Sequence, residues 1–298
     1  MAKTVFLYFS ELEPELGSGV YLKPITGFAD AGTEVYLDEL SRRVRLDDYF
    51  GQPDQVIKLL FTHLPDWTEK IIVKSRPEDR IKYMDLGFRE EALVHGYFSG
   101  IDMHFLTYYP KPERSESTEI KPEASGISRF TAAEESGILN RQAVIRTAIP
   151  EDAGELARFY SNIFPLYPTP VSDPEYIKDA IEGNSIYRYI RQNGVIVSAA
   201  CAEINRKYSN AELSDCGTSA SASGRGYMKS ILSLLIKELD EMGVNHVYSI
   251  ARANNPGINA VFKGLGFECT GTLIQNVFIF SGFEDMKVWS RVPVVKGN

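Results

Sequence analysis

Apolar residues recur along the second half of the chain in two rhythms. Ala143–Ala148 alternates every second residue, the pattern of a half-buried strand, and Pro150-Glu151-Asp152 then supplies the proline and acids that favour a helix first turn. Asp173-Pro174 opens a second helix. Ser185–Arg191, Val195–Ile204 and Ala211–Thr218 read as strands, and Gln192-Asn193-Gly194 suits a tight hairpin between the first two. In MKSILSLLIKELDEMG, Ile231, Leu234, Leu235 and Leu239 recur at helical spacing and Gly243 closes the helix. His246–Ala251 predicts a strand, Gly257–Leu265 a short helix, and Gly271–Phe280 with Met286–Val292 a final strand pair. The three middle strands form a meander, so the pattern predicts a mixed α/β sheet with helices on both faces, not a doubly wound one.

Lys111–Gly137 breaks this patterning. It is rich in Glu, Ser, Pro and Thr and poor in apolar anchors, which marks a linker. The expected division is an N-terminal unit over residues 1–110, a linker over 111–139 and a C-terminal unit over 140–298. Ile71–Pro110 resembles Tyr248–Pro293, since both run strand, helix, Leu-Gly-Phe, strand, Ser-Gly, strand, and Gln55–Leu64 supplies a preceding helix. The turn ahead of that helix, Asp48-Tyr49-Phe50-Gly51-Gln52-Pro53, carries one glycine. The N-terminal unit is therefore expected to be a partial copy that packs or dimerises rather than catalyses.

Composition narrows the function classes. Among 298 residues, 40 acidic against 32 basic side chains give a formal charge of -8, which does not attract a phosphate backbone and excludes nucleic acid as the expected partner. Cys201, Cys216 and Cys269 have neither disulfide-framework nor zinc-ligand spacing, and His63, His95, His104 and His246 are scattered, so no metal is expected. The first residues lack the basic flank and apolar run of a signal peptide, and no apolar stretch is long enough to cross a bilayer. These features predict a cytoplasmic protein without membrane contact.

The strongest local motif is Ser219–Met228, SASASGRGYM, between a strand and the long helix. Its glycines let backbone N–H groups converge on the positive end of a helix, which suits a pyrophosphate. It is neither a Walker loop nor a dinucleotide fingerprint. With the Asn-containing loop, the short helix and Leu265-Gly266-Phe267 that follow, the stretch from Asn140 to Pro293 resembles the GNAT superfamily of acetyl-CoA-dependent N-acetyltransferases. Within it the resemblance is to the β-lysine N-acetyltransferases. It rests on Tyr167–Pro174, Ala211–Thr218, Tyr248–Ala253 and Gly282–Met286, with Leu86–Ala92 extending it into a smaller, degenerate GNAT-like N-terminal domain. The resemblance implies acetyl transfer from acetyl-CoA to the ε-amine of β-lysine by direct attack, giving a compatible solute. Another small amine (a polyamine, lysine or an aminoglycoside) and a non-catalytic acyl-CoA sensor stay open as alternatives, as does a homodimer.

An amine attacks a thioester only when unprotonated, so a base and oxyanion donors are needed. Glu212 matches the superfamily's general-base position. Asp215, three residues on, faces the other side of a regular strand unless a bulge intervenes. The resemblance implies coenzyme contacts at Cys216, Gly217 and Thr218 on the strand end, at Ser223, Gly224, Arg225, Gly226, Tyr227 and Met228 in the turn, and at Asn255. Two departures stand out: Ser223 and Met228 replace the first and last positions of the family's phosphate-turn pattern, and Phe262 replaces a frequent tyrosine acid, which Tyr83 matches in the N-terminal copy. Tyr167, Asn276, Glu284 and Asp285 are expected on the acceptor side, with Arg252 a candidate partner for the acceptor carboxylate or a coenzyme phosphate.

Overall fold

The computed structural model describes residues 20–28, 31–117, 144–164, 166–279 and 281–291. Its N-terminal part runs β1 (Val20–Phe28), β2 (Ala31–Asp38), β3 (Arg43–Phe50), α1 (Pro53–Thr62), β4 (Lys70–Ser75), α2 (Arg80–Asp85), β5 (Arg89–Phe98) and β6 (Ile101–Tyr108). The C-terminal part runs β7 (Ile145–Thr147), α3 (Ala153–Ile163), α4 (Pro174–Glu182), β8 (Ser185–Gln192), β9 (Val195–Asn205), β10 (Asn210–Thr218), α5 (Tyr227–Glu241), β11 (His246–Arg252), α6 (Pro256–Gly264), β12 (Phe267–Ile279) and β13 (Gly282–Arg291). Among the described residues these form two mixed sheets, ordered β1-β2-β3-β4-β6-β5 and β7-β8-β9-β10-β11-β13-β12.

The two sheets repeat one topology. β3 and β4 run parallel across α1 just as β10 and β11 run parallel across α5, and each parallel pair is followed by an antiparallel return pair. The mixed sheet read from the meander is therefore present twice. The last strand pair begins earlier than predicted, at Phe267 and Gly282, because β12 tolerates an irregularity around Gln275 (φ 42°) that blurs its alternation. The expected strand ends at Phe280 and Val292 lie outside the described residues. On α5 the buried stripe is Ile231, Leu232, Leu235, Ile236 and Leu239, with Leu234 only half-buried at its edge.

Helices α5 and α6 cover one face of the C-terminal sheet, where Leu213, Ile231, Leu235 and Phe262 pack together. Helices α3 and α4 cover the other, around Leu156, Tyr160, Ile177 and Tyr187. Asp173 caps α4 by accepting a hydrogen bond from the Glu175 N–H at 3.0 Å, as its sequence context predicts. In the N-terminal sheet, α1 and α2 cover one face through Val44, Leu46, Ile71 and Leu106. The opposite face meets the C-terminal sheet, and one apolar cluster draws Ile72, Ala92 and Val94 from the first and Tyr248, Leu273 and Val288 from the second.

That junction is close and charged. A Cβ added at Gly271 would stand 2.0 Å from the Glu91 carbonyl oxygen, so β12 and β5 approach backbone to backbone. Lys70 is fully buried and donates to Glu91 at 3.0 Å and to the Ile274 carbonyl at 2.6 Å. Residues 111–117 correct the expected linker. Pro112–Ser115 is a helical turn whose buried Arg114 donates to Glu69 at 2.8 Å and to the Gln275 carbonyl at 2.7 Å. Scarcity of apolar residues hid this anchor because the anchor is an arginine. The remainder of the expected linker, 118–139, and the start of the expected strand at Ala143 lie outside the described residues. No helix among the described residues is long and apolar enough to cross a membrane.

Candidate active site

Strands β9 and β10 place Glu203 directly opposite Glu212. Like charges in register repel, so nothing in sheet formation favours this pair. A bulge between Ser214 and Gly217, with Asp215 at φ 51°, then turns the strand. Asp215 consequently lines the same cavity as Glu203 and Glu212, a space of about 420 Å³, instead of facing away from Glu212. Asp215 is 2% exposed; its Oδ2 accepts from the Tyr187 hydroxyl at 2.9 Å, while its buried Oδ1 has no partner among the described residues. Tyr248, beside Glu212 on β11, donates to that carboxylate.

Desolvation within the cavity is the main cause that raises all three carboxyl groups above their ordinary range, although only Asp215 is fully buried, Glu212 is half-buried and Glu203 keeps access to solvent. Glu212 is pushed further up by the charge of Glu203, Glu203 by that of Asp215, and Asp215 by that of Glu212 against the Tyr187 hydrogen bond. Glu203 was not anticipated from the sequence. The available signal was a lone acid near the end of the mostly apolar run Val195–Ile204, and only the hairpin register shows what it faces. Cys201, Glu203 and Asp215 come close enough to share an ion, and burial raises the Cys201 thiol well above its ordinary range.

These shifts fix a pH dependence. Taken as a set, Glu203 and Glu212 keep more protons in the folded protein than in the unfolded chain, whose carboxyls release them near 4.5. The native state therefore binds more protons in the window above that pH, and stability falls as pH rises through it. Asp47, which Arg45 and Lys74 hold low despite its burial, has finished titrating below the window. The Tm of the unliganded protein is expected to decline from pH 5.5 to 7.5, and Glu203→Gln to flatten that decline. An unchanged slope in the variant would contradict the assignment.

The opposite wall comes from the N-terminal sheet, whose Tyr36, Arg43 and Arg45 line the cavity. Besides the packing expected of it, the unit thus contributes to the cavity wall. On β3, Val44 and Leu46 point into the α1 core, so Arg43, Arg45 and Asp47 alternate onto the face that meets the second sheet. Arg45 lies 4.7 Å over the Tyr36 ring and closes a two-pronged pair with Asp47 at 2.5 and 2.9 Å. Phe164, Tyr167 and Tyr176 border the acidic end, with the Phe164 and Tyr167 rings stacked at 4.4 Å. Asn276 lines the cavity at 2% exposure, and its Oδ1 has no partner among the described residues.

Two residues expected on the acceptor side are engaged elsewhere. Glu284 closes a two-pronged ion pair with Arg252 at 2.7 and 2.6 Å, which also answers the question of what Arg252 holds in this structure. Asp285 is fully buried and accepts from the Gln275 N–H at 2.7 Å and from the Ser117 hydroxyl, bracing the β12 irregularity next to Asn276. Neither carboxylate lines the cavity, because neighbouring donors capture both.

The cavity extends past Asn255, Ile258 and Phe262. β10 and β11 pair only as far as Glu212 and Tyr248, and beyond this point the strands part. Cys216 is half-buried and its Sγ lies 3.5 Å from the Ser214 carbonyl; the Thr218 hydroxyl meets that of Ser198 at 2.9 Å. Gly217 is closely packed, since a Cβ there would stand 3.2 Å from the Phe159 ring. In the turn, Ser223 is exposed, Gly224 has φ 74°, and Gly226 with φ 75° caps α5. Arg225 is exposed and donates to the Ser221 carbonyl at 3.1 Å. The Tyr227 and Met228 side chains are buried in the α5 core, leaving their backbone N–H groups as the available donors. Asn255 caps α6 by accepting from the Ile258 N–H. Phe262 is fully buried, as is Tyr83, whose hydroxyl has no partner among the described residues and lies within the N-terminal core.

A strand edge that opens beside a glycine-capped helix N-terminus fits a thioester carried on a pyrophosphate-bearing arm: extended backbone pairs with the arm and free N–H groups meet the phosphates. The model of the acetyltransferase (GNAT) family matches residues 155–267. A β-lysine N(6)-acetyltransferase from Methanosarcina mazei is 35% identical over 75% of this chain and 91% of its own length. The N-acetyltransferase YodP of Bacillus subtilis is 29% identical over 85% of this chain and 94% of its own. A β-lysine N(6)-acetyltransferase from Methanococcus maripaludis is 27% identical over 75% and 82%, respectively. A cavity that joins three clustered carboxylates to an opened strand pair, on a chain with these relatives, is that of an acyl-transferring enzyme, and the chain belongs to the GNAT family of acetyltransferases.

Proposed function

We propose that the protein transfers the acetyl group of acetyl-CoA to the ε-amine of β-lysine by direct attack, without an acyl-enzyme, and so makes a compatible solute. The observation that carries this reading is the convergence of Glu203, Glu212 and Asp215 in one cavity beside the opened β10–β11 edge. When bound, acetyl-CoA supplies a thioester whose acetyl group passes to an unprotonated amine while the thiolate leaves. Backbone N–H groups at the start of α5, next to Gly224 and Gly226, hold its pyrophosphate, and the edge at Cys216, Gly217 and Thr218 aligns its arm together with Asn255. Glu212, with a carboxyl raised towards neutrality, takes the amine proton. The unpartnered Oδ1 atoms of Asp215 and Asn276 offer acceptors to a second ammonium group, as a diamino acid requires.

Coenzyme A release by the purified protein, with β-lysine, α-lysine and spermidine as acceptors, tests the assignment. The expected result is a kcat/KM highest for β-lysine. Turnover confined to spermidine would overturn the substrate while keeping the reaction class.

A further inference from the structure

We infer that Arg43 is the anchor for the acceptor's carboxylate, so that the N-terminal sheet selects an amino acid over a simple diamine. Arg43 is 5% exposed yet lines the cavity. Its Nε donates to Asp38 Oδ2 at 2.9 Å, and Asp38 Oδ1 accepts from the Ser41 N–H at 2.9 Å. Asp38 and Arg43 are also register partners across β2 and β3, so the guanidinium plane is held from both backbone and side chain. Among the described residues no hydrogen bond reaches Nη1 or Nη2. The other two arginines that line the cavity differ: Arg45 is closed by Asp47 and Arg252 by Glu284, each through two bonds.

The two Nη groups open onto the cavity, and a fixed fork of two N–H donors matches a carboxylate. The three carboxylates belong to the C-terminal sheet and Arg43 to the N-terminal one, so one wall of the cavity suits ammonium groups and the other offers a guanidinium to an anion. Ser41, two residues from Arg43, accepts from the Phe278 N–H at 3.2 Å, which ties the anchor's strand to the segment that carries Asn276. This inference rests on the amine-acetylation reading and adds which unit reads which end of the acceptor.

The test compares kcat/KM for β-lysine with that for its decarboxylated diamine, in the wild type and in Arg43→Met and Arg43→Lys. The wild type is expected to favour β-lysine about 10²-fold, the scale of two charge-assisted hydrogen bonds. Arg43→Met brings the ratio close to one, and Arg43→Lys restores only part of it because an ammonium keeps the charge without the fork. If Arg43→Met does not fold, Arg43→Lys carries the same comparison with a cation still facing Asp38. A wild-type ratio near one, or variants that lower both acceptors by an equal factor, would overturn the anchor while leaving β-lysine acetylation standing. Activity on neither acceptor would overturn the functional reading on which it rests.

Discussion

Glu212→Gln is expected to lower kcat with a saturating amine by about 10²–10⁴-fold, the usual contribution of a positioned base. The sign of the accompanying pH effect follows from the cavity. A base acts when deprotonated, and burial with the charge of Glu203 raises the Glu212 carboxyl to about 7. Wild-type kcat/KM should therefore climb with pH through neutrality, and the variant should lose this ascending limb. Because the three carboxyls titrate as a set, the limb reports the set and not one residue. Asp215→Asn separates the candidates: it removes a carboxylate from the same cavity but leaves the Tyr248-bonded Glu212 in place. A Glu212→Gln enzyme within tenfold of wild type, with its limb intact, would exclude Glu212 as the base.

The second large effect is on stability. Gly271→Ala drives a methyl group towards the Glu91 carbonyl oxygen at 2.0 Å and the Ala92 Cα at 2.7 Å. Both obstacles are backbone, so no rotamer change relieves them and the two sheets must separate. The expected cost is about 3 kcal/mol, at the upper end of overpacking, or a Tm lowered by roughly 6–12 °C for a protein of this size. Gly282→Ala is the control, since a Cβ there meets nothing within 4 Å. Equal Tm values for the two variants would show that the contact between β5 and β12 is looser than described. Activity on β-lysine should fall further than stability alone accounts for in Gly271→Ala, because Asn276 and Arg43 reach the cavity from strands on either side of this junction.

Much of the C-terminal sheet was readable from local signals. Alternation marked the strands, the Asn193-Gly194 turn set the β8–β9 hairpin, and Gly226 marked the start of α5. The site was readable only where one segment carried it, as at Glu212 and the phosphate turn. Glu203 and Arg43 escaped because each acquires meaning from a partner far along the chain: Glu203 from its register with β10, Arg43 from a second sheet folded over it. An alternating Arg-x-Arg-x-Asp strand ordinarily has its polar face in water. Here Arg43 and Asp47 are buried, a property of how the sheets stack and not of their own residues. Conversely, Glu284 and Asp285 looked available because their captors, Arg252 and the Gln275 backbone, come together with them only in the folded sheet.

Because one polypeptide carries both the carboxylate wall and the guanidinium wall, the second wall is present at an effective concentration set by covalent connection and not by the amount of protein in the cell. Assembly of the cavity is then a folding event. It happens once per chain and does not weaken on dilution. The half that repeats the topology without a glycine-rich turn thus has a use of its own: substitutions on its polar β2–β3 face would reshape the cavity while the strands opposite stay untouched.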